Sequence, residues 1–367
     1  MAKDIHEKPF DETTLVKLSV FRDYLREWLP VFIHAKNIYW KTINIVDFFA
    51  GPGKDMNNTP GSPQIILSEL TAHINMIKSK GIKVNILFNE YKKKKYEDLS
   101  AFIEEAKNEF PDFNFEITNL DFKTSYDKWY PNLNQNDCAN LIFFDQNGIK
   151  HINESVFKEI IKLKHTDFLF FVSSAHARRF CEHKSISKYL KLDKAEIQKT
   201  PYYHIHRLIQ DYYKNLIPLE EEYYLGRFSL RKGRGNIYGL IFGSGHVLGI
   251  EKFLKACWKI DPERGEANYD IDKDEIVPGQ IDMFTGEVDK PKKKEEFEIN
   301  LEKLLLLETL CTDKAIYLHS ITNGFLASHA SDVIKKMQKE KRIKQFKGNL
   351  SSSVCKKGQV LTKVELI

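Results

Sequence analysis

Apolar positions recur at helical spacing from Thr14 to about His34, with Leu15, Leu18, Phe21, Leu25, Trp28 and Leu29 forming a stripe, so an amphipathic helix opens the chain. Ile43 to Phe49 then reads as a short strand, apolar apart from Asn44 and Asp47, that runs into the turn Ala50-Gly51-Pro52-Gly53. A loop at 54–61 follows, Pro63 suits a first helical turn, and the helical pattern continues to Lys80. Strand-like runs at Val84–Phe88, Phe113–Ile117, Leu141–Phe144 and Phe168–Val172 alternate with helical stretches near 91–108, 125–130 and 153–164. This alternation predicts an α/β fold around a parallel sheet.

Beyond a helical region that includes His204–Leu216, the patterns Tyr223–Leu230 and Asn236–Phe242 flank Arg231-Lys232-Gly233-Arg234-Gly235, the form of a β-hairpin. Residues 261–296, rich in Asp, Glu, Lys and Pro, read as a linker or irregular segment between a domain at 1–260 and a second at 297–367. The second holds helical patterns at about 297–310, 313–322 and 328–341, the last capped by Ser328 and facing a core with Ala330, Val333, Ile334 and Met337. With short strands at Ile343–Phe346 and Val360–Val364, it describes a winged helix-turn-helix.

Composition narrows the class. Apolar residues make up 42% and charged residues 29%, a globular balance that argues against disorder. No apolar run approaches the ~20 residues needed to cross a bilayer, and the N-terminus is charged, so the expectation is a cytoplasmic protein with no membrane partner. The 5 cysteines lie at least 43 residues apart, which excludes a CxxC metal pair and a disulfide scaffold, and the histidines show no zinc spacing; no metal is expected. The net charge of +5 is uneven: residues 301–367 carry 12 Lys/Arg against 6 Asp/Glu. Lys335, Lys336, Lys339, Lys341, Arg342, Lys344 and Lys347 crowd one segment of the last helix and wing, which points to a polyanion, with nucleic acid the expected partner.

The strongest chemical signal is the strand that enters Ala50-Gly51-Pro52-Gly53. Glycines let the backbone pass close to a ligand, and an open parallel sheet binds ligands beyond the carboxyl ends of its strands. Glu90 ends the next strand, where an acid accepts hydrogen bonds from ribose hydroxyls. A dinucleotide fingerprint needs a third glycine where Met56 stands, and the Gly-Lys-Ser/Thr of a phosphate loop is absent. A nucleoside cofactor without phosphates, S-adenosylmethionine, fits what is left. Asp47, Ala50, Gly51 and Gly53 would meet its amino-acid part, Glu90 its ribose and Asp121 its adenine. Asp145 would face the acceptor and orient or deprotonate it, with Gln146, Asn147 and Arg178 as substrate contacts.

The runs IVDFFAGPG at 45–53, GSPQIIL at 61–67, FNE at 88–90 and FFDQNG at 143–148 resemble the three-Cys-motif partner (TcmP) family. The resemblance covers most of the chain and implies a Rossmann-like class I methyltransferase sheet with a C-terminal winged helix-turn-helix. It also implies S-adenosylmethionine as cofactor and a separate three-cysteine-motif protein as partner. The loop Asp145-Gln146-Asn147-Gly148 lacks the Asp/Asn-Pro-Pro-aromatic sequence of amino-group methyltransferases. That departure leaves the acceptor open and keeps a non-catalytic adaptor with a degenerate methyltransferase fold as the alternative.

Overall fold

The computed structural model describes residues 9–36, 39–146, 151–174, 177–178, 191–233, 235–276, 279–281, 286 and 288–367. The chain divides into two compact units, 1–249 and 250–367.

In the first unit, helix α1 (Glu12–Ile33) is capped by the Asp11 carboxylate, which accepts from the Thr14 N–H. Strands β1 (Thr42–Asp47), β2 (Lys83–Asn89), β3 (Asn114–Thr118), β4 (Cys138–Phe144) and β5 (Thr166–Ser173) are parallel, and β6 (Tyr224–Lys232) and β7 (Asn236–Ser244) form the expected antiparallel hairpin. The order is β3-β2-β1-β4-β5-β7-β6, with β7 antiparallel to β5. This is a Rossmann-like α/β sheet whose order reverses between β1 and β4, the crevice where such sheets bind ligands.

One face of the sheet packs Val46, Leu87, Ile142 and Phe144 against Tyr126, Trp129 and Phe157, all buried. On the other face α1 stacks Phe21 on Phe143 at 4.5 Å and sets Tyr24 edge-on to Phe242 at 4.9 Å. The Tyr24 hydroxyl donates to Asp167 Oδ2 at 2.6 Å, and burial pushes that carboxyl up to about 6. Polar side chains also cross the sheet. Asn114 donates to Asn85, Asn85 to Asn44, Asn44 to Asn140 and Asn140 to Thr166, each step joining residues in register on neighbouring strands. Buried amides are tolerated there because each finds a partner.

Helix α4 (Lys93–Glu109), α5 (Phe122–Leu133) and α6 (Glu154–Ile160) lie near the expected positions. The single helix expected to run on to Lys80 is instead two, α2 (Ser62–Thr71) and α3 (Ile74–Lys80). Near the break the Thr71 hydroxyl donates to the Leu67 carbonyl, a back-bond that bends helices.

The second unit holds helices Lys292–Leu306, Asp313–Thr322 and Ala327–Lys339 around a core that includes Phe297, Phe325, Ile334 and Met337. The first begins five residues before the expected start. Lys293 and Lys294 lie 5.7 and 5.4 Å from the Trp258 ring centre and pair with Glu266 and Glu263, so the charge run is a packed helical turn. The last helix starts after Leu326 rather than at Ser328, because His329 Nδ1 takes the Leu326 N–H. The two expected strands reduce to isolated bridges, Thr312 with Lys363 and Ile343 with Leu366.

Candidate functional site

β1 ends on Asp47, whose fully buried carboxyl accepts from the Phe49 N–H at 2.8 Å and from Ser62 Oγ at 2.5 Å. Burial pushes this carboxyl up to about 7; the negative Asp145 adds to the rise, while the two hydrogen bonds and the Lys17 ammonium oppose it. Gly51 (φ 65°) and Gly53 (φ 94°) then adopt left-handed backbone that a side chain would strain, and a Cβ on Gly53 would stand 3.2 Å from the Phe102 ring. The Gly53 carbonyl accepts from the Gly61 N–H at 2.8 Å, which closes the loop at 54–60 at its base. Asp55 braces that loop internally, accepting from the Asn57 and Thr59 N–H groups, both at 2.8 Å.

Glu90 reaches the glycine turn. Its Oε2 accepts from the Gly51 N–H at 3.0 Å and its Oε1 from the Lys92 N–H at 2.8 Å, while the Ala50 N–H donates to the Asn89 carbonyl at 3.0 Å. A carboxylate has about four acceptor positions, so two backbone donors leave room for two hydroxyls. Asp121 caps α5: it accepts from the Thr124 N–H and Oγ1, and these bonds hold the exposed carboxyl below the usual range.

Beyond β4, Asp145 forms a hydrogen-bonded ion pair with Lys17 of α1, whose ammonium also lies 5.0 Å from the Phe171 ring centre. The Lys17 side chain is 10% exposed and that of Asp145 28%. Gln146 is buried; its Oε1 accepts from the His151 N–H at 3.0 Å, and its Nε2 has no hydrogen-bond partner among the described residues. These three side chains border a cavity of about 90 Å³ whose walls also hold Phe171, Leu230, Tyr238 and the Asp11–Lys232 ion pair.

Asp47, Ala50, Gly51, Gly53 and Glu90 thus converge at the carboxyl ends of β1 and β2, with Asp145 beside them beyond β4. Arg178 does not line the cavity and lies 5.8 Å from the centre of the Tyr202 ring, and Asn147 falls outside the described residues. Lys17 was not anticipated from sequence. The signal was there in the phase of α1: Thr13, Lys17, Val20, Tyr24 and Trp28 all lie on its buried side, whereas Leu15 is 45% exposed.

Of the basic residues in the second unit, Lys336 and Arg342 both pair with Glu302, at 2.9 and 2.6 Å. Lys335 pairs with Asp332 and Lys344 with Glu365. Lys339, Lys341 and Lys347 make no ion pair among the described residues.

No family model matches the chain, and no curated protein does. Solved structures similar to it include a spermidine synthase from Thermotoga maritima, 14% identical with a TM-score of 0.32, the match covering 66% of this chain and 62% of the synthase. An O-methyltransferase from Bacillus cereus in complex with SAH is 14% identical, with a TM-score of 0.33 and coverage of 64% and 91%. A putative methylase from Haemophilus influenzae is 14% identical, with a TM-score of 0.28 and coverage of 61% and 87%. Likeness at this level assigns nothing to this chain.

Proposed function

We propose that the first unit binds S-adenosylmethionine and transfers its methyl group, with Asp145 on the acceptor side. The observation that carries this reading is the clamp of the Gly51 N–H on the Glu90 carboxylate at the carboxyl ends of β1 and β2, a left-handed glycine turn fixed beside an acid with acceptor positions to spare. When bound, the cofactor supplies a methyl carbon on a sulfonium sulfur that keeps the bonding electrons on transfer. The chain's own share is positioning. Glu90 would hold the ribose hydroxyls, the backbone from Ala50 to Gly53 the amino-acid part, and Asp121, anchored at the start of α5, the adenine edge.

Calorimetric titration of the full chain with S-adenosylmethionine and S-adenosylhomocysteine tests the reading. Glu90→Ala should weaken both by about tenfold or more, since it removes the hydroxyl acceptor and the Gly51 clamp together. No heat from the unaltered protein, or unchanged affinity in the variant, refutes it.

For the second unit, three helices and two bridges that pair Lys363 with Thr312 and Leu366 with Ile343 support a winged helix-turn-helix, and Lys339, Lys341 and Lys347, without an ion pair among the described residues, support a nucleic-acid partner. A three-cysteine-motif partner rests on the sequence resemblance alone. The adaptor alternative draws on one observation, the Lys17 ion pair that already engages Asp145; cofactor binding without methyl transfer to any acceptor would favour it.

A further inference from the structure

We infer that residues 10–14, which lead into α1, are a strap that shuts one wall of the cavity beside Asp145 and swings away to admit a ligand; this concerns access, and holds whether or not a methyl group is transferred there. At about 90 Å³ the cavity is smaller than the ~300–1,000 Å³ of common ligand pockets, so an occupant has to displace a wall. Phe171, Leu230, Lys232 and Tyr238 stand on β5, β6 and β7, whose backbones are fixed by their ladders. Lys17 and Asp145 hold each other, and Gln146 is held by the His151 N–H. The wall that is left is made by Asp11, Thr13 and Thr14.

Three tethers pin that wall to separate elements. The Phe10 N–H donates to Asp55 Oδ2 at 2.7 Å, Asp11 pairs with Lys232 at 2.5 Å, and Thr13 Oγ1 donates to the Arg231 carbonyl at 3.1 Å. Their partners lose little when they let go. Asp55 keeps the Asn57 and Thr59 N–H groups, Asp11 keeps the Thr14 N–H and hydroxyl so that α1 stays capped, and Lys232, its side chain already 40% exposed, passes to water. Of the strap's side chains Thr13 alone is buried. Apolar anchoring of the helix begins farther on: Leu15 is exposed, whereas Leu18, Val20, Phe21 and Tyr24 are buried. A terminal turn held by exchangeable polar contacts, joined to a helix fixed by apolar burial, is where local opening costs least.

Cysteine alkylation of the full chain reads the opening. Leu230→Cys places a thiol on the cavity wall, and Cys138, buried at the start of β4, is the internal control for unfolding of the whole unit. Where closing outpaces alkylation, the labelling rate tracks the open fraction. Adding Thr13→Val and Lys232→Met cuts two tethers, so N-ethylmaleimide labelling at position 230, followed by mass spectrometry, should rise about tenfold while that of Cys138 stays constant. Tyr238→Cys is the reporter if Leu230→Cys does not fold, with the same rise expected. An unchanged rate at the reporter, or one that rises only in step with Cys138, overturns the proposal.

Discussion

Asp47→Asn should remove a pH-dependent loss of stability that the wild-type chain carries. The Asp47 carboxyl rises from 3.8 to about 7 on folding, first because it is fully buried and then because Asp145 is close. A raised acid binds its proton more tightly folded than unfolded, so its favourable contribution is complete below pH 3.8 and is lost as pH climbs toward about 7. Between those limits the unfolded chain has released the proton and the folded one has not. Stability therefore falls by ~1.4 kcal/mol per pH unit, or ~4 kcal/mol across the window. Asparagine retains an oxygen for the Phe49 N–H and offers an amide to Ser62 Oγ, so the local bonding survives while the titration disappears. Urea unfolding of both proteins from pH 4 to pH 8 measures the difference directly. Asp167, raised to about 6, contributes a similar slope to both proteins and cancels in the comparison. Parallel profiles for the two proteins would refute the assignment of a buried, proton-retaining Asp47.

Gly53→Ala should cost about 1–3 kcal/mol in urea unfolding and weaken S-adenosylhomocysteine binding, because φ 94° strains any side chain and the new Cβ meets Phe102 at 3.2 Å; wild-type stability in the variant would refute this. Glu302→Gln should release Lys336, while Arg342 keeps Glu340 at 3.1 Å, so binding of the full chain to duplex nucleic acid should strengthen and the log–log salt slope steepen by about one unit in fluorescence anisotropy. An unchanged slope would separate Lys336 from any phosphate contact.

The strands were legible because each is a short apolar run ending in polar or glycine residues, and the glycine turn with Glu90 was legible because chemistry of that kind sits at strand ends. What escaped depends on contacts between residues distant in sequence. The run PKKKEE looks like a solvated linker until Trp258, 35 residues before Lys293, takes the lysine ammoniums against its ring. Lys17 looks like a surface charge until Asp145, 128 residues on, meets it. The basic cluster likewise looks uniformly available until Glu302, from an earlier helix, neutralises two of its members. Local propensity carries no trace of such pairings.

The file of amides across the sheet has a use beyond its own hydrogen bonds. Asn44 sits three residues before Asp47, and Asp47 is level with Phe88 on β2 and Phe143 on β4, so Glu90 and Asp145 each stand two residues beyond that level. If β1 slipped by one residue, Asn44 would leave both Asn85 and Asn140, stranding buried amides at ~1–3 kcal/mol each. The amide row thus acts as a datum plane at one end of the sheet, from which the heights of three acids ~10 Å or more further along the strands are measured. Side chains that never touch a ligand would in this way set the tolerance to which the ligand site is built.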